Sequence, residues 1–170
     1  MAIDFYFDFA SPYGFIAAIQ IEAIKRAVRW RPFLLGAVYK MFGQSPLDHP
    51  LKRKYVIEVD APRVARRLGL ELKIPANFPE HSLPPSRAFY WIEQQDPAKA
   101  VAFAKAVYRR YWLEGSATSD ATVAADAAAS IGCDRVGGHA RRPHKVPFDP
   151  CERGGHPQWG VRVAVLPRGW

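Results

Sequence analysis

The stretch IDFYFDFASPYGFIAA, residues 3–18, decides how the rest of the chain is arranged. In its first half, phenylalanine at positions 5, 7 and 9 alternates with Asp, Tyr and Asp, which is the period of a β-strand with one apolar face. Ser11 ends this strand and Pro12 opens an apolar helical pattern, because serine is a good N-cap and proline a good first helical residue. The sequence therefore predicts that the Ser11 hydroxyl lies at a helix N-terminus, at the C-terminal edge of a sheet.

A helix N-terminus favours anions, because its free N–H groups and its dipole both point at whatever binds there. A thiolate beside Ser11 would be stabilised in this way. A Ser-Pro pair also occurs as a plain helix cap with no chemical role. The residues alone leave both interpretations open.

The string FYFDFASPYGFIAA resembles the start of the 2-hydroxychromene-2-carboxylate isomerases and the kappa-class glutathione transferases, which share a DsbA-like thioredoxin fold. The resemblance implies that Ser11 stands where the redox relatives carry the attacking cysteine, so dithiol chemistry is excluded at this motif. It further implies that glutathione is the cofactor. The resemblance places its sulfur beside Ser11, with Pro12 and Tyr13 as further contacts.

The chain is predicted to have an α/β fold, a thioredoxin-like domain with an inserted all-helical domain. Residues 1–33 and 118–132 are expected to form the thioredoxin-like part, in which the strand that begins at Ile3 pairs in parallel with a second strand at Val28–Phe33. Residues 34–117 are expected to form the helical insertion, because the strand period ends after Pro32.

Several features are predicted inside this frame. The first helix is expected to continue over residues 20–26; compared with the family, the connection after Ile24 is several residues shorter, so either this helix ends early or the second strand begins late. A second helix over residues 52–68 is expected to be split or kinked by Pro62. A proline-rich loop follows, and then two helices joined at Asp96-Pro97, whose dense aromatic residues are assigned mostly to the core, with a few walling a substrate pocket. The predicted apolar positions of the first two helices are Ile16, Ile19, Ile21, Ile24, Tyr55, Val56, Val59, Val64 and Leu68.

Two further strings carry the resemblance and point to substrate-binding residues. WRPFLLGAVYK puts Lys40 where the family's substrate-facing lysine lies, and IPANFPEHSLPP makes Asn77 and its neighbour Phe78 candidates for substrate contact. A solvated surface charge is the alternative for Lys40. An amide that serves its own turn is the alternative for Asn77.

Composition is that of a globular protein, with 49% hydrophobic and 24% charged residues. No apolar run reaches the roughly 18 residues of a membrane span, and no signal sequence precedes the first strand, so we expect a cytoplasmic protein with no membrane partner. The net charge is +8. The basic residues in 52–54 and 63–67 are interpreted as a solvated face, because no aromatic residues interleave with them as nucleic-acid binding would require.

The chain changes character at Cys133. The last 38 residues hold both cysteines, three of the five histidines and half of the glycines, without an apolar period. The cysteine and histidine spacing does not match known zinc folds, so no metal is expected. Read from the second base of each codon, Trp159–Gly169 permits the family's GVFGSPFF loop. We therefore interpret residues 133–170 as an irregular, out-of-frame tail, in which the family's C-terminal strands are missing.

These observations predict a glutathione-dependent isomerase of an aromatic hydroxychromene carboxylate, in the degradation of aromatic compounds. A homodimer is compatible with this prediction. The tail leads us to expect that the 170-residue chain binds glutathione weakly and turns over little. Within the same class, a kappa-like glutathione transferase is the alternative. A non-catalytic basic binding module is the alternative of another class, and salt-sensitive binding to nucleic acid would support it.

Overall fold

A computed structural model describes residues 2–43 and 45–133. Two strands, β1 (Ile3–Phe7) and β2 (Val28–Pro32), pair in parallel, with Ile3 opposite Val28 and Phe7 opposite Pro32. The predicted strand–helix–strand start is therefore confirmed. The helix between the strands, α1 (Pro12–Gln20), begins at the predicted proline.

The first helix is shorter than the sequence analysis predicted. α1 ends at Gln20, a 3-10 turn covers Ile21–Ala23, and Ile24 is already extended. Of the two alternatives, the helix ends early and does not continue to residue 26, whereas the second strand begins at Val28 as predicted. Ile19 is also 39% exposed, whereas Ile16 is buried, so only part of the apolar surface of α1 faces the core.

Helices fill the described residues after β2, and no strand occurs among the described residues of 50–115, as predicted. The thioredoxin-like fold with a helical insertion is thus confirmed. In chain order the remaining elements are α2 (Leu35–Phe42), a 3-10 turn (Pro46–Asp48), α3 (Pro50–Lys54), a π-helix (Tyr55–Asp60), α4 (Ala61–Arg67), α5 (Leu83–Glu93), α6 (Pro97–Trp112) and α7 (Ala121–Ala129).

Pro62 lies where the second helical segment changes from π to α; the segment stays helical from residue 50 to residue 67, so the predicted split does not occur. The π-helix ends at Asp60 and α4 begins beside the proline, which has no N–H to continue the helical ladder. Tyr55 and Val59 are about half exposed, so these two apolar positions do not face the core. Ala61 and Ala65 are buried instead, because small side chains allow α4 to pack closely on α1.

The core is largely aromatic. Phe7 and Phe9 from the first segment pack edge to face with each other, and both rings contact Tyr108. The interpretation that the aromatic residues of 87–112 are mostly core is confirmed, since the members buried to 1% exposure or less are Phe89, Phe103, Tyr108, Tyr111 and Trp112. The core thus joins β1 to α5 and α6.

The two helices that contribute these core residues, α5 and α6, differ in how their N-termini are capped. α6 starts as predicted, with Asp96 accepting hydrogen bonds from the N–H groups of Ala98 and Lys99. α5 begins at Leu83, four residues earlier than the predicted Arg87. Its first turn contains two prolines, which are tolerated there because the first N–H groups of a helix have no intrahelical partner.

The predictions for the tail beyond Cys133 lie outside the described residues. Among residues 2–43 and 45–133, no helix is long and apolar enough to cross a membrane. Within the same ranges, no cluster of His, Cys, Asp and Glu side chains could hold a metal ion.

Candidate active site

Ser11 lies at the junction of β1 and α1 and caps the helix. Its backbone is extended, and its Oγ accepts a hydrogen bond from the Gly14 N–H at 3.1 Å. The predicted N-cap is therefore confirmed. Among the described residues, no acceptor takes the proton of the Ser11 hydroxyl, so this group is free to donate to a ligand.

Two buried side chains of α6 hold the segment that leads to Ser11. The Tyr108 hydroxyl donates to the Asp8 carbonyl at 3.2 Å, and Trp112 Nε1 donates to the Phe9 carbonyl at 3.1 Å. Gly14 lies so close that an added Cβ would be 2.8 Å from the Tyr108 hydroxyl oxygen. The position of Ser11 is therefore determined by a helix that lies about a hundred residues further along the chain.

Asp8 is a site residue that the sequence analysis missed. It is only 6% exposed, and its Oδ1 accepts from the Ala10 N–H at 2.9 Å and the Ser82 hydroxyl at 2.6 Å. Its Oδ2 accepts from the Leu35 N–H at 2.7 Å. Asp8 therefore caps α2, whose own N-cap residue, Leu34, supplies no side-chain hydrogen bond.

Burial raises the pKa of Asp8, and the hydrogen bonds from Ser82, Ala10 and Leu35 act in the opposite direction. A carboxylate in this position joins three elements at one point: the β1–α1 loop, α2 and the start of α5. An aspartate at the end of an apolar strand was the available signal in the sequence, but alternation alone predicted only a mixed face.

A cavity of about 440 Å³ opens beside Ser11. The structure brings Lys40 and Phe78 to its walls, so three of the predicted site residues meet there. Lys40 lies on the last turn of α2 and is exposed. Tyr39, which the sequence analysis did not single out, also lines the cavity and is half-buried.

The other predicted site residues do not line this cavity. Pro12 is buried in the first turn of α1. Tyr13 is 42% exposed, and its hydroxyl donates to Asp60 Oδ2 at 2.6 Å. Asn77 is exposed in the loop before α5.

The loop that carries Phe78 is hydrogen-bonded to Arg53, a basic residue of α3. Arg53 donates to the Phe78 carbonyl at 2.6 Å, the Phe78–Pro79 peptide bond is cis, and the Phe78 ring packs 5.8 Å from that of Trp112. The interpretation of Arg53 as a purely solvated charge is therefore wrong. Arg53 holds one wall of the cavity in place.

The aromatic walls of the cavity come from a different part of the chain than predicted. Tyr39 and Phe78 line it, and none of the aromatic residues of 87–112 does. The expectation that a few of those residues form a substrate pocket is wrong for this cavity, because they are used in the core between β1, α5 and α6.

The fold and the site define a thioredoxin-like protein with a serine at the N-terminus of α1. The chain belongs to the family of the DsbA-like thioredoxin domain, whose model matches residues 2–138. The family resemblance read from residues 5–18 is thereby confirmed.

Two proteins of similar sequence support the same family assignment. The chain is 29% identical over 141 residues to 2-hydroxychromene-2-carboxylate isomerase of Pseudomonas putida, which covers 79% of this chain and 68% of that protein. It is 28% identical over 120 residues to glutathione S-transferase kappa 1 of Caenorhabditis elegans, covering 65% of this chain. The chain spans about half (53%) of the length of that transferase.

Solved structures agree with the fold. A 2-hydroxychromene-2-carboxylate isomerase superposes with a TM-score of 0.69 at 29% identity, over 82% of this chain and 70% of that one. The cytosolic disulfide reductase DsbM of Pseudomonas aeruginosa superposes with a TM-score of 0.59 at 16% identity, over 89% of this chain and 70% of that one. The second likeness concerns the fold alone.

Proposed function

We propose that this protein is a glutathione-dependent isomerase that acts on an aromatic hydroxychromene carboxylate. The observation that carries the proposal is the hydroxyl of Ser11, at the N-terminus of α1 and on the wall of a cavity of about 440 Å³, whose proton has no acceptor in the described part of the chain. The names of the isomerase and transferase relatives support it.

The donors around Ser11 fit a thiolate. Pro12 has no N–H, and the Gly14 N–H is already bonded to Ser11 Oγ. The Tyr13 N–H and the Ser11 hydroxyl proton have no acceptor among the described residues, and both belong to the first turn of α1. Two open donors at a helix N-terminus favour an anion, so they lower the pKa of a thiol that binds there.

Glutathione, when bound, supplies a thiolate that adds to the conjugated ring system of the substrate and leaves again after bond rotation. This sulfur must come from a ligand, because the motif Ser11-Pro12-Tyr13-Gly14 contains no cysteine. Ser11 holds and orients the sulfur by donating its hydroxyl proton. The chain thereby supplies positioning and electrostatic stabilisation of the nucleophile.

Lys40 and Phe78 are suited to bind the second ligand of the proposed reaction, a small aromatic acid. The Lys40 ammonium at the cavity wall provides the positive charge for a carboxylate, and Phe78 provides a flat apolar surface for an aromatic ring. A cavity of this size is within the range that holds small ligands. Lys40 and Phe78 are therefore the proposed substrate contacts, and Asn77, which is exposed and does not line the cavity, is not one of them.

A kappa-like glutathione transferase remains the second candidate, because one relative carries that name. Both activities need the same thiolate beside Ser11. A halonitrobenzene assay separates them, since only a transferase forms a stable thioether with that substrate.

The test is Ser11→Ala, in the full chain and in a frame-restored version made by shifting the coding frame near the Gly132 codon. The pKa of the bound thiol, followed by thiolate absorbance, is expected to rise, and isomerisation is expected to slow by at least about tenfold, the effect of losing one hydrogen bond to a charged group. Ser116→Ala, which removes a hydroxyl that does not line the cavity, is the matched control. An unchanged thiol titration and rate in Ser11→Ala would contradict the proposal.

A further inference from the structure

The hydrogen-bond acceptors and donors that line the cavity differ in how many hydrogen bonds they already make within the protein. Each of its three carboxylates already accepts hydrogen bonds from the protein: Asp8 from three donors, Asp48 from the Ser45 N–H at 2.9 Å, and Glu80 from the Ser119 hydroxyl at 2.6 Å. These hydrogen bonds fix the orientation of each carboxylate within the fold.

The hydrogen-bond donors that line the cavity, in contrast, have protons that no acceptor of the described residues takes. Among the described residues, four side chains that line the cavity have protons without a protein acceptor: Ser11, Tyr39, Lys40 and Ser45. A cavity with open donors and engaged carboxylates suits a ligand with several acceptor oxygens. The proposed function assigns Ser11 to the sulfur and Lys40 to a carboxylate. It leaves Tyr39 and Ser45 without a partner, and of these two only Tyr39 lies beside Lys40 on α2.

Tyr39 is held in place by its own helix. The Leu35 N–H, one turn before Tyr39, is bonded to the buried Asp8 carboxylate, which anchors the start of α2. Burial and the nearby negative charge of Asp8 raise the pKa of the Tyr39 hydroxyl, so it remains a neutral donor. A neutral phenol offers one directed hydrogen bond and no net charge.

We propose that Tyr39 is a specificity-determining residue of this site, whose hydroxyl donates to the ring oxygen of the aromatic substrate. The inference rests on the proposed function. Lys40, which carries a full charge, suits the carboxylate, and Tyr39, which is neutral, suits the oxygen attached to the aromatic ring. When the ring opens, the C–O bond breaks and its electron pair stays on that oxygen. The oxygen takes up a proton, while the hydroxyl on the carbon that it leaves loses one and becomes a ketone.

The hydrogen bond from Tyr39 is strongest when this oxygen carries the electron pair, so it accelerates ring opening more than it strengthens substrate binding. In the frame-restored protein, Tyr39→Phe is therefore expected to lower kcat about tenfold and to leave the KM for glutathione unchanged. A lower kcat together with a raised KM for glutathione would assign Tyr39 to the thiol instead and would overturn the proposal.

A binding experiment tests the same contact without glutathione or turnover, so its failure is separate from failure of the proposed function. The probes are 2-hydroxycinnamate and cinnamate, two aromatic acids that differ only in the ortho hydroxyl. Calorimetric titration of the full chain and of the frame-restored version is expected to show 2-hydroxycinnamate binding about fivefold to tenfold more tightly, as one hydrogen bond provides.

In Tyr39→Phe, 2-hydroxycinnamate and cinnamate are expected to bind with about equal affinity. Cinnamate binding and thermal unfolding should be unchanged, since the Tyr39 hydroxyl has no partner among the described residues. Tyr55→Phe, which removes an exposed hydroxyl away from the cavity lining, is the control and should retain the preference. The proposal is overturned if the unmodified protein shows no preference for 2-hydroxycinnamate. It is also overturned if Tyr39→Phe keeps the preference.

Discussion

Replacing Asp8 tests whether one buried carboxylate assembles the candidate active site. Asp8→Ala removes the acceptor for three donors, the N–H groups of Ala10 and Leu35 and the hydroxyl of Ser82. Each buried donor left unsatisfied costs about 1–3 kcal/mol. The variant also no longer buries a charge, which offsets part of this cost. We therefore expect a net loss of about 3 kcal/mol in the free energy of unfolding.

Asp8→Asn separates the acceptor role from the charge. An amide oxygen can still accept, but the amide NH₂ cannot, so at least one of the three donors loses its partner. The expected loss is about half of that in Asp8→Ala. Urea denaturation followed by circular dichroism measures both values. Asp126→Ala, an exposed position on α7, is the control and should change the free energy of unfolding by less than about 0.5 kcal/mol.

The pH dependence gives a second measurement on the same variants. Because burial raises the folded-state pKa of Asp8 above its ordinary value of 3.8, this group contributes stability below pH 3.8 that is lost as the pH rises through the raised pKa. The stability of the unmodified protein relative to Asp8→Asn should therefore fall as the pH rises above about 4. A cost below about 1 kcal/mol for Asp8→Ala, or a relative stability that increases with pH, would refute this account of Asp8.

Three further predictions concern other parts of the site. Gly14→Ala places a Cβ 2.8 Å from the Tyr108 hydroxyl oxygen and should lower the free energy of unfolding by about 1–3 kcal/mol. The same change should cost less in a Tyr108→Phe background, and an equal cost in both backgrounds would contradict the clash. Arg53→Ala removes the donor to the Phe78 carbonyl and should weaken binding of 2-hydroxycinnamate several-fold, whereas Lys52→Ala should not; equal effects would show that only surface charge matters. Frame restoration near residue 133 should raise both solubility and glutathione affinity, because strands paired with β1 and β2 would cover their exposed edges. Equal glutathione affinity of the two versions in a calorimetric titration would refute it.

Much of the fold could be predicted from local sequence. The alternation around Phe5 and Phe7 predicted β1, and Ser11-Pro12 predicted the start of α1, because strand period and N-cap chemistry act over only a few neighbouring residues. Asp96 was recognised as the cap of α6 for the same reason. The family strings added Lys40 and Phe78, which the structure places on the walls of one cavity.

Burial along the helices could not be predicted from the sequence in the same way. Ile19, Tyr55 and Val59 are apolar and lie in helical segments, yet each is more than a third exposed. An apolar residue is buried only where another element covers it, and that depends on how α1, the π-helix and α4 pack together. A helical period gives the candidates for a buried face, but packing selects among them.

The sequence by itself determined the secondary structure at the start of the chain, the loss of dithiol chemistry at Ser11 and the family. Only the tertiary structure decided that Asp8 caps α2, that Arg53 holds the Phe78 loop, and that Tyr39 faces the same cavity as Ser11. The physical reason is the range of the interactions. Caps and strand alternation join near neighbours, whereas the hydrogen bonds that shape this site join residues from 25 to 100 positions apart, and no local pattern records them.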